Sequence, residues 1–194
     1  MLDTIEGRNE ALRLSEARYR HLIDGAPEAI VVFDVESGKI VDHNPRAEAL
    51  FRLSAAELAE TSPIELSPEL QPDGRSSADA VRGHIELVRS GGTAVFEWWH
   101  RDRAGRVFPC EVRLRRLADE KRLLIRGSIA DITERKQAER ELHATLTLQR
   151  AILNSASHTI ISTNPQGLIT LFNPAAGRLL GLDPAQIGRA SCRE

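Results

Sequence analysis

The stretch "AIVVFDVESGKIVDHNPRAEALFRL", Ala29 to Leu53, decides the fold. Two runs rich in β-branched and apolar residues, about Ala29 to Asp34 and Lys39 to His43, flank "VESG", whose Ser-Gly pair marks a turn, so the segment reads as a β-hairpin. Asn44-Pro45 then opens a helix. Asn accepts from free backbone amides at a helix start, and Pro fills the first helical position, where its missing N–H is no loss. Ser54 and Glu57 in "SAAELAE" have the spacing of a capping box for a further short helix.

Downstream, "SPIELSPELQPDGRSS" holds three prolines and a glycine and reads as an irregular connection. "SADAVRGHIELVRS" (Ser77 to Ser90) reads as a helix ended by Gly91-Gly92. Three strands follow: "TAVFEWWHRD", "RVFPCEVRLRRL" and "KRLLIRGSIADIT". The middle one alternates, with Phe108, Cys110, Val112 and Leu114 on one side and Glu111, Arg113 and Arg115 on the other. One face is buried and one is wet, as in an antiparallel sheet. The fold class is therefore α+β: an antiparallel sheet of five strands with helices on one face, flanked by amphipathic helices.

Upstream, residues 1–24 read as an amphipathic helix with Ile5, Leu12, Tyr19 and Leu22 on a 3.5-residue repeat, able to pair with a copy of itself. "GAP" at Gly25 to Pro27 ends it. After the last strand the pattern turns helical again over residues 134–153. There Ile132, Leu142, Leu146 and Leu153 fall on heptad core positions, but Arg135, Glu139 and Gln149 share them, so any coiled coil is weak.

A repeat then appears. "GKIVDHNPRAEALFRLSAAEL" (Gly38 to Leu58) aligns without gaps on "GLITLFNPAAGRLLGLDPAQI" (Gly167 to Ile187). The shared order of turn, strand, Asn-Pro cap and helix points to a second copy of one domain, cut short. Residues 25–133 are thus one complete domain and 154–186 the opening of another. The tail "IGRASCRE", 187–194, is what a common sequencing-adapter string encodes, and is expected to be read-through; Cys192 carries no functional reading.

The 194 residues have room for one full domain and part of another. A net charge of -2 without a basic block argues against a nucleic-acid partner. The two cysteines are far apart, with no His/Cys clustering, so neither a disulfide framework nor a metal site is expected. The charged start lacks a signal core and no run approaches a membrane span, from which a cytoplasmic location is expected.

Five local patterns in order resemble the PAS domain, a sensory module of bacterial signalling proteins. "SEARYRHLIDGAPEAIVVFD" resembles the family's entry, "IVDHNPRAEALFRLSAAEL" its second strand and first helices, and "FEWWHRDRAGRVFPCEVRL" its middle strands. "GSIADITERKQAE" is similar to its closing Asp-Ile-Thr signature, and "LQRAILNSASHTIISTNPQGLITLFNPAAGRLLGL" resembles the opening half of another copy. The resemblance implies a sensory, non-catalytic module that acts as a homodimer, relays ligand or partner binding through its exit helix to a downstream domain, and belongs to the two-component world. It also leaves open a constitutive docking platform without ligand, or the regulatory half of a histidine kinase or diguanylate cyclase.

Candidate residues follow. Asp131, Thr133 and Glu134 form the relay joint: Asp131 and Glu134 have capping-box spacing, and Asp131 or Thr133 can accept from the first helical amides. Leu142, Leu146 and Leu153 are the dimer-helix candidates. Phe51, Phe96, Trp98, Phe108, Val112 and Leu114 are candidates for the wall of a small-molecule pocket, with Arg126 or Ser128 as a polar contact. Of the neighbours Trp98 and Trp99, one ring should enter the core and the other face outward.

No catalytic residue is expected. His143, in "ELHATLTLQ", lacks the acidic, Arg and Pro followers of a phospho-accepting histidine. The ligand, and any cofactor, is left unknown, with haem and flavin disfavoured. Cys110 lies on a strand, unlike the reactive cysteine of flavin-binding relatives, and reads as packing. His84 is on the long helix, about one turn from where haem-binding relatives carry their ligand, a shift of ~5.4 Å.

Overall fold

A computed structural model describes residues 2–119 and 121–181; of residues 2–8, 11 and 12 the backbone alone is described. The Ile5 and Leu12 side chains and the tail 187–194 lie outside the described parts, as do residues 182–186 of the second-domain opening. The chain divides into two compact units between Glu134 and Arg135.

In the first unit, α1 (Leu2–Asp24) leads into β1 (Ala29–Asp34) and β2 (Ile40–His43), followed by α2 (Pro45–Phe51), α3 (Ala55–Glu60) and α4 (Ser77–Arg89). The strands β3 (Thr93–Arg101), β4 (Val107–Arg116) and β5 (Leu124–Asp131) complete it, and α5 (Thr133–Ser155) leaves. The sheet has five strands in the order β2-β1-β5-β4-β3, every pair antiparallel. This is the α+β architecture expected from the alternation of β4, whose Phe108, Cys110, Val112 and Leu114 are all buried. Those side chains join Val31, Phe33, Phe51, Leu58 and Val88 in one core between the sheet and α2 to α4.

The hairpin is anchored by one residue. Asn44 is fully buried, and its Oδ1 accepts from the backbone N–H of Ile30 (2.9 Å) and of Ala47 (3.1 Å). Its Nδ2 donates to the carbonyls of Ile23 and Glu28, both at 3.0 Å. A single amide thus ties the end of α1, the start of β1 and the first turn of α2 together, with each of its hydrogens and its oxygen used. The Ser54/Glu57 capping box forms at the start of α3.

In the second unit, β6 (Ile161–Thr163) and β7 (Ile169–Phe172) form a two-stranded sheet, followed by α6 (Pro174–Leu180). The register slips between Ser162 and Thr163 as it does between Val32 and Phe33 in the first hairpin. α6 is capped by Asn173 and ends on Gly181 in the left-handed region, at φ 67. The corresponding residue after α2 is Arg52, at φ 57, where glycine would be the easier occupant.

Ile132 departs from its expected seam position. It is buried, and its N–H donates to the Pro109 carbonyl at 3.0 Å, so the β4–β5 pairing runs one residue past the strand and the helix begins only at Thr133.

Candidate ligand cavity and exit joint

The irregular segment between α3 and α4 lies along β3, the edge strand of the sheet. Its attachment uses the backbone groups that an edge leaves unpaired. Arg101 N–H donates to the Leu66 carbonyl at 2.8 Å. The Gln71 amide imitates a strand: its Oε1 accepts from Trp99 N–H at 2.9 Å, and its Nε2 donates to the Trp99 carbonyl at 3.2 Å and to Ser77 Oγ at 2.7 Å.

Beneath this segment is an apolar cavity of about 50 Å³. Its floor is the sheet: Val31 and Phe33 of β1, Phe96, Trp98 and His100 of β3, Val112 and Leu114 of β4, and Gly127 and Ile129 of β5. Pro63, Ile64 and Ser67 of the irregular segment and Val81 of α4 line its other side. The indole N–H of Trp98 donates to Ser67 Oγ (2.9 Å), whose own hydrogen goes to the Pro63 carbonyl (3.1 Å). Trp98 is buried and Trp99 is 40% exposed, the split that strand alternation requires.

Of the pocket residues read from sequence, Phe96, Trp98, Val112 and Leu114 line the cavity. Phe51 and Phe108 do not; they pack on each other in the core, with ring centroids 6.4 Å apart. Arg126 and Ser128 are also elsewhere. On β5 their neighbours Gly127 and Ile129 face the cavity, so strand alternation turns Arg126 and Ser128 to the opposite face, where Arg126 Nη2 donates to Ser128 Oγ at 3.5 Å.

His100 is the residue that sequence reading missed. It is 5% exposed, its Nδ1 lies 2.9 Å from the Leu66 carbonyl, and its ring meets Phe51 edge-on at 5.3 Å. Burial lowers its pKa to about 4, against the opposing pull of the Leu66 carbonyl. The alternation that puts Trp98 inside also puts His100 inside, so the signal was present at a spacing of two residues. His84 stacks on Phe96, ring centroids 3.6 Å apart, and partial burial with Arg75 nearby lowers its pKa. The buried Cys110 thiol is pushed up by desolvation first and by Asp131 second. No group of three or more His, Cys, Asp or Glu is placed to hold a metal among the described residues.

The exit joint is built at the other end of β5. Asp131 Oδ1 accepts from Thr133 N–H (2.8 Å) and from the Thr133 hydroxyl (2.5 Å). Asp131 therefore holds the first residue of α5 rather than the later amide that a capping box would use, because the strand pairing continues through Ile132. Glu134 stands in the first turn, at the positive end of the helix. Arg106, in the turn between β3 and β4, lies 3.5 Å from Asp131 Oδ2 and 3.4 Å from Asp102 Oδ2, with its guanidinium 4.3 Å above the Phe108 ring. Asp102 also takes Arg52 at 3.3 Å, and Arg103 of the same turn pairs with Glu57. The turn thus connects the end of α2 and the first turn of α3 to Asp131, the residue that holds the start of α5. The dimer-helix candidates Leu142 and Leu146 are exposed on α5, and Leu153 is half-buried.

Residues 17–132 and again 147–190 match one family model, described as the PAS fold. The chain belongs to the PAS family. Each matched stretch contains one copy of the repeat, Gly38 to Leu58 in the first and Gly167 to Ile187 in the second. Among solved structures, a PAS domain from a two-component sensor histidine kinase is 18% identical, with a TM-score of 0.51 over 61% of this chain and 97% of that one. The PAS domain of an HTR-like protein from Haloarcula marismortui is 23% identical, TM-score 0.54, covering 66% and 99%. A PAS domain of a protein from Colwellia psychrerythraea is 21% identical, TM-score 0.52, covering 61% and 97%. At these identities the likeness is one of fold. No curated protein matches the chain. No described helix is long and apolar enough to cross a membrane.

Proposed function

We propose that this PAS chain is a sensory relay without catalysis of its own, in which occupancy of the cavity or contact with a partner is passed along β5 to α5 and on to a downstream signalling domain. The carrying observation is the position of β5. Gly127 and Ile129 line the cavity, and two residues beyond Ile129 the strand ends in Asp131, whose carboxylate holds Thr133 at the start of α5. A small displacement of the strand is therefore delivered to a helix start without an intervening loop. Leu142 and Leu146, exposed on α5, and the half-buried Leu153 on the same stripe are the residues for pairing with a second copy, the two-state element such a relay requires.

The test is Asp131→Ala in a fusion that joins a reporter histidine kinase after Leu153. Stability should fall by about 1 kcal/mol, as for a lost cap, while kinase output changes. Identical output with and without the substitution overturns the relay.

A second reading, a constitutive docking platform, is favoured by Trp99, which is exposed on the same face of the sheet as the exposed Val95 and Val107. If Trp99→Ala abolishes dimer formation while probes of the cavity leave kinase output unchanged, docking is the function.

A further inference from the structure

Arg52 holds an unfavourable backbone conformation. It ends α2 in the left-handed region, at φ 57, and among the described residues it is the one non-glycine with a positive φ. The second copy places Gly181 there, at φ 67, which meets the same need without the clash of a Cβ. A strained residue persists where its surroundings fix it, and around Arg52 they do so through two contacts with the turn between β3 and β4.

The first contact is main-chain. The Phe51 carbonyl, at the end of α2 where carbonyls lack helical partners, accepts from Arg103 N–H at 3.0 Å. The second is Arg52 Nε, 3.3 Å from Asp102 Oδ2. The Asp102 side chain has no exposed surface, so its charge must be met by protein groups. Its Oδ1 accepts from Arg106 N–H at 2.9 Å, and its Oδ2 is shared between Arg52 and Arg106, whose Nε lies 3.4 Å away. Arg106 is shared in turn, because its Nη2 lies 3.5 Å from Asp131 Oδ2. Charges thus alternate from the end of α2 to the exit joint in the order Arg52, Asp102, Arg106, Asp131. Each inner group serves two partners, so a change at one end redistributes the contacts at the other. When Arg52 withdraws, Asp102 keeps Arg106 as its one guanidinium partner and draws it from Asp131, whose other oxygen holds Thr133.

We propose that Arg52 is a positioning residue for the exit joint, and that the end of α2 is a second input to α5, separate from the path along β5. The neighbouring Phe51, fully buried against Phe108 and His100, makes this input responsive to packing beneath α2. The inference rests on the sensory reading above and adds an input to it.

The test follows the Thr133 amide resonance in the ¹⁵N-labelled full chain, in wild type, Arg52→Gly and Arg52→Lys. Glycine suits the left-handed backbone and removes only the side chain, so the Thr133 amide is expected to shift in Arg52→Gly. Arg52→Lys keeps a charge beside Asp102 and should shift it less. In the kinase fusion after Leu153, Arg52→Gly is expected to change output about two- to fivefold, the range of a partly exposed ion pair, and to change nothing further once Asp131→Ala is present. A Thr133 amide unmoved by Arg52→Gly, or an output change of the same factor with and without Asp131→Ala, overturns the inference. If Asp131→Ala alone leaves output unchanged, the relay reading falls, and the Thr133 amide decides by itself whether Arg52 acts on the joint.

Discussion

Asn44 and Asn173 make the same four hydrogen bonds in two different parts of the chain. Asn173 accepts from Ile160 N–H (2.9 Å) and Ala176 N–H (3.0 Å) and donates to the carbonyls of Leu153 (3.1 Å) and His158 (2.9 Å). Those partners correspond in order to Ile30, Ala47, Ile23 and Glu28 around Asn44. In each copy one amide joins a preceding helix, a strand and a following helix.

Substituting Asn44→Ala takes the side-chain partner from the Ile30 N–H and the Glu28 carbonyl, while the Ala47 N–H keeps the Asn44 carbonyl and the Ile23 carbonyl keeps the Ala26 N–H, and is expected to cost about 2 kcal/mol or more. Asn44→Asp preserves shape but places carboxylate oxygen against the Ile23 and Glu28 carbonyls, and should cost a comparable amount. Urea denaturation measures both. Asn173→Ala should release hydrogen-exchange protection in the second unit and leave the protection of β1, β4 and β5 unchanged.

Ser67→Ala removes the acceptor of the buried Trp98 indole. The expected loss is about 1–3 kcal/mol, the range for a buried donor left unpaired. Trp98 fluorescence should shift in the same variant, and Gln71→Ala should loosen the same segment from β3 without changing the indole environment.

Stability should fall on acidification because of His100. Its ordinary value is 6.5 and the folded value is about 4, so between these the unfolded chain binds a proton that the folded chain refuses. The contribution is complete above pH 6.5 and is lost as the pH falls through 4, a total of roughly 3 kcal/mol. Burial is its main cause, and only the Leu66 carbonyl opposes it. Carboxylates such as Glu65, held low by the backbone N–H and hydroxyl of Ser62, and Asp119, held low by the backbone N–H groups of Lys121 and Arg122, add their own loss at lower pH. The difference between wild type and His100→Gln in melting temperature against pH isolates the histidine, and a constant difference from pH 7 to 4 would contradict the assignment.

Gly127→Ala tests the cavity floor. The added methyl would meet Val31 Cγ2 at 3.3 Å and Leu114 Cδ2 at 3.4 Å, close enough that both must yield slightly. Both side chains also line the cavity and have room to move into it. Stability should therefore change by less than about 1 kcal/mol, below the usual range for overpacking a filled core, while xenon affinity drops severalfold. A loss of several kcal/mol would show the space to be unavailable.

The elements were legible because their signals are local. Turn residues, strand alternation, the Asn-Pro cap and the Ser54/Glu57 box each act within a few residues, and they placed every strand of the first unit within about three residues of its position. Alternation also separated Trp98 from Trp99. The same rule, applied two residues on, would have put His100 inside, but a histidine among charged neighbours in "WWHRDR" looks like surface. Arg126 and Ser128 went astray for a related reason: a strand with apolar residues on both faces, as β5 has in Ile125, Ile129 and Ala130, does not announce which face is the inner one.

By itself, then, the sequence determined the order of elements, the antiparallel sheet, the caps and the duplication, since each depends on chain-local periodicity and backbone hydrogen bonding. Tertiary structure alone decided which apolar side chains pack solid and which surround a cavity. It also decided that Trp98 meets Ser67, that His100 meets Leu66 and that Arg106 reaches Asp131. Those partners lie far apart in the chain, and their approach is set by how the irregular segment closes over the sheet, a packing outcome that no local pattern encodes.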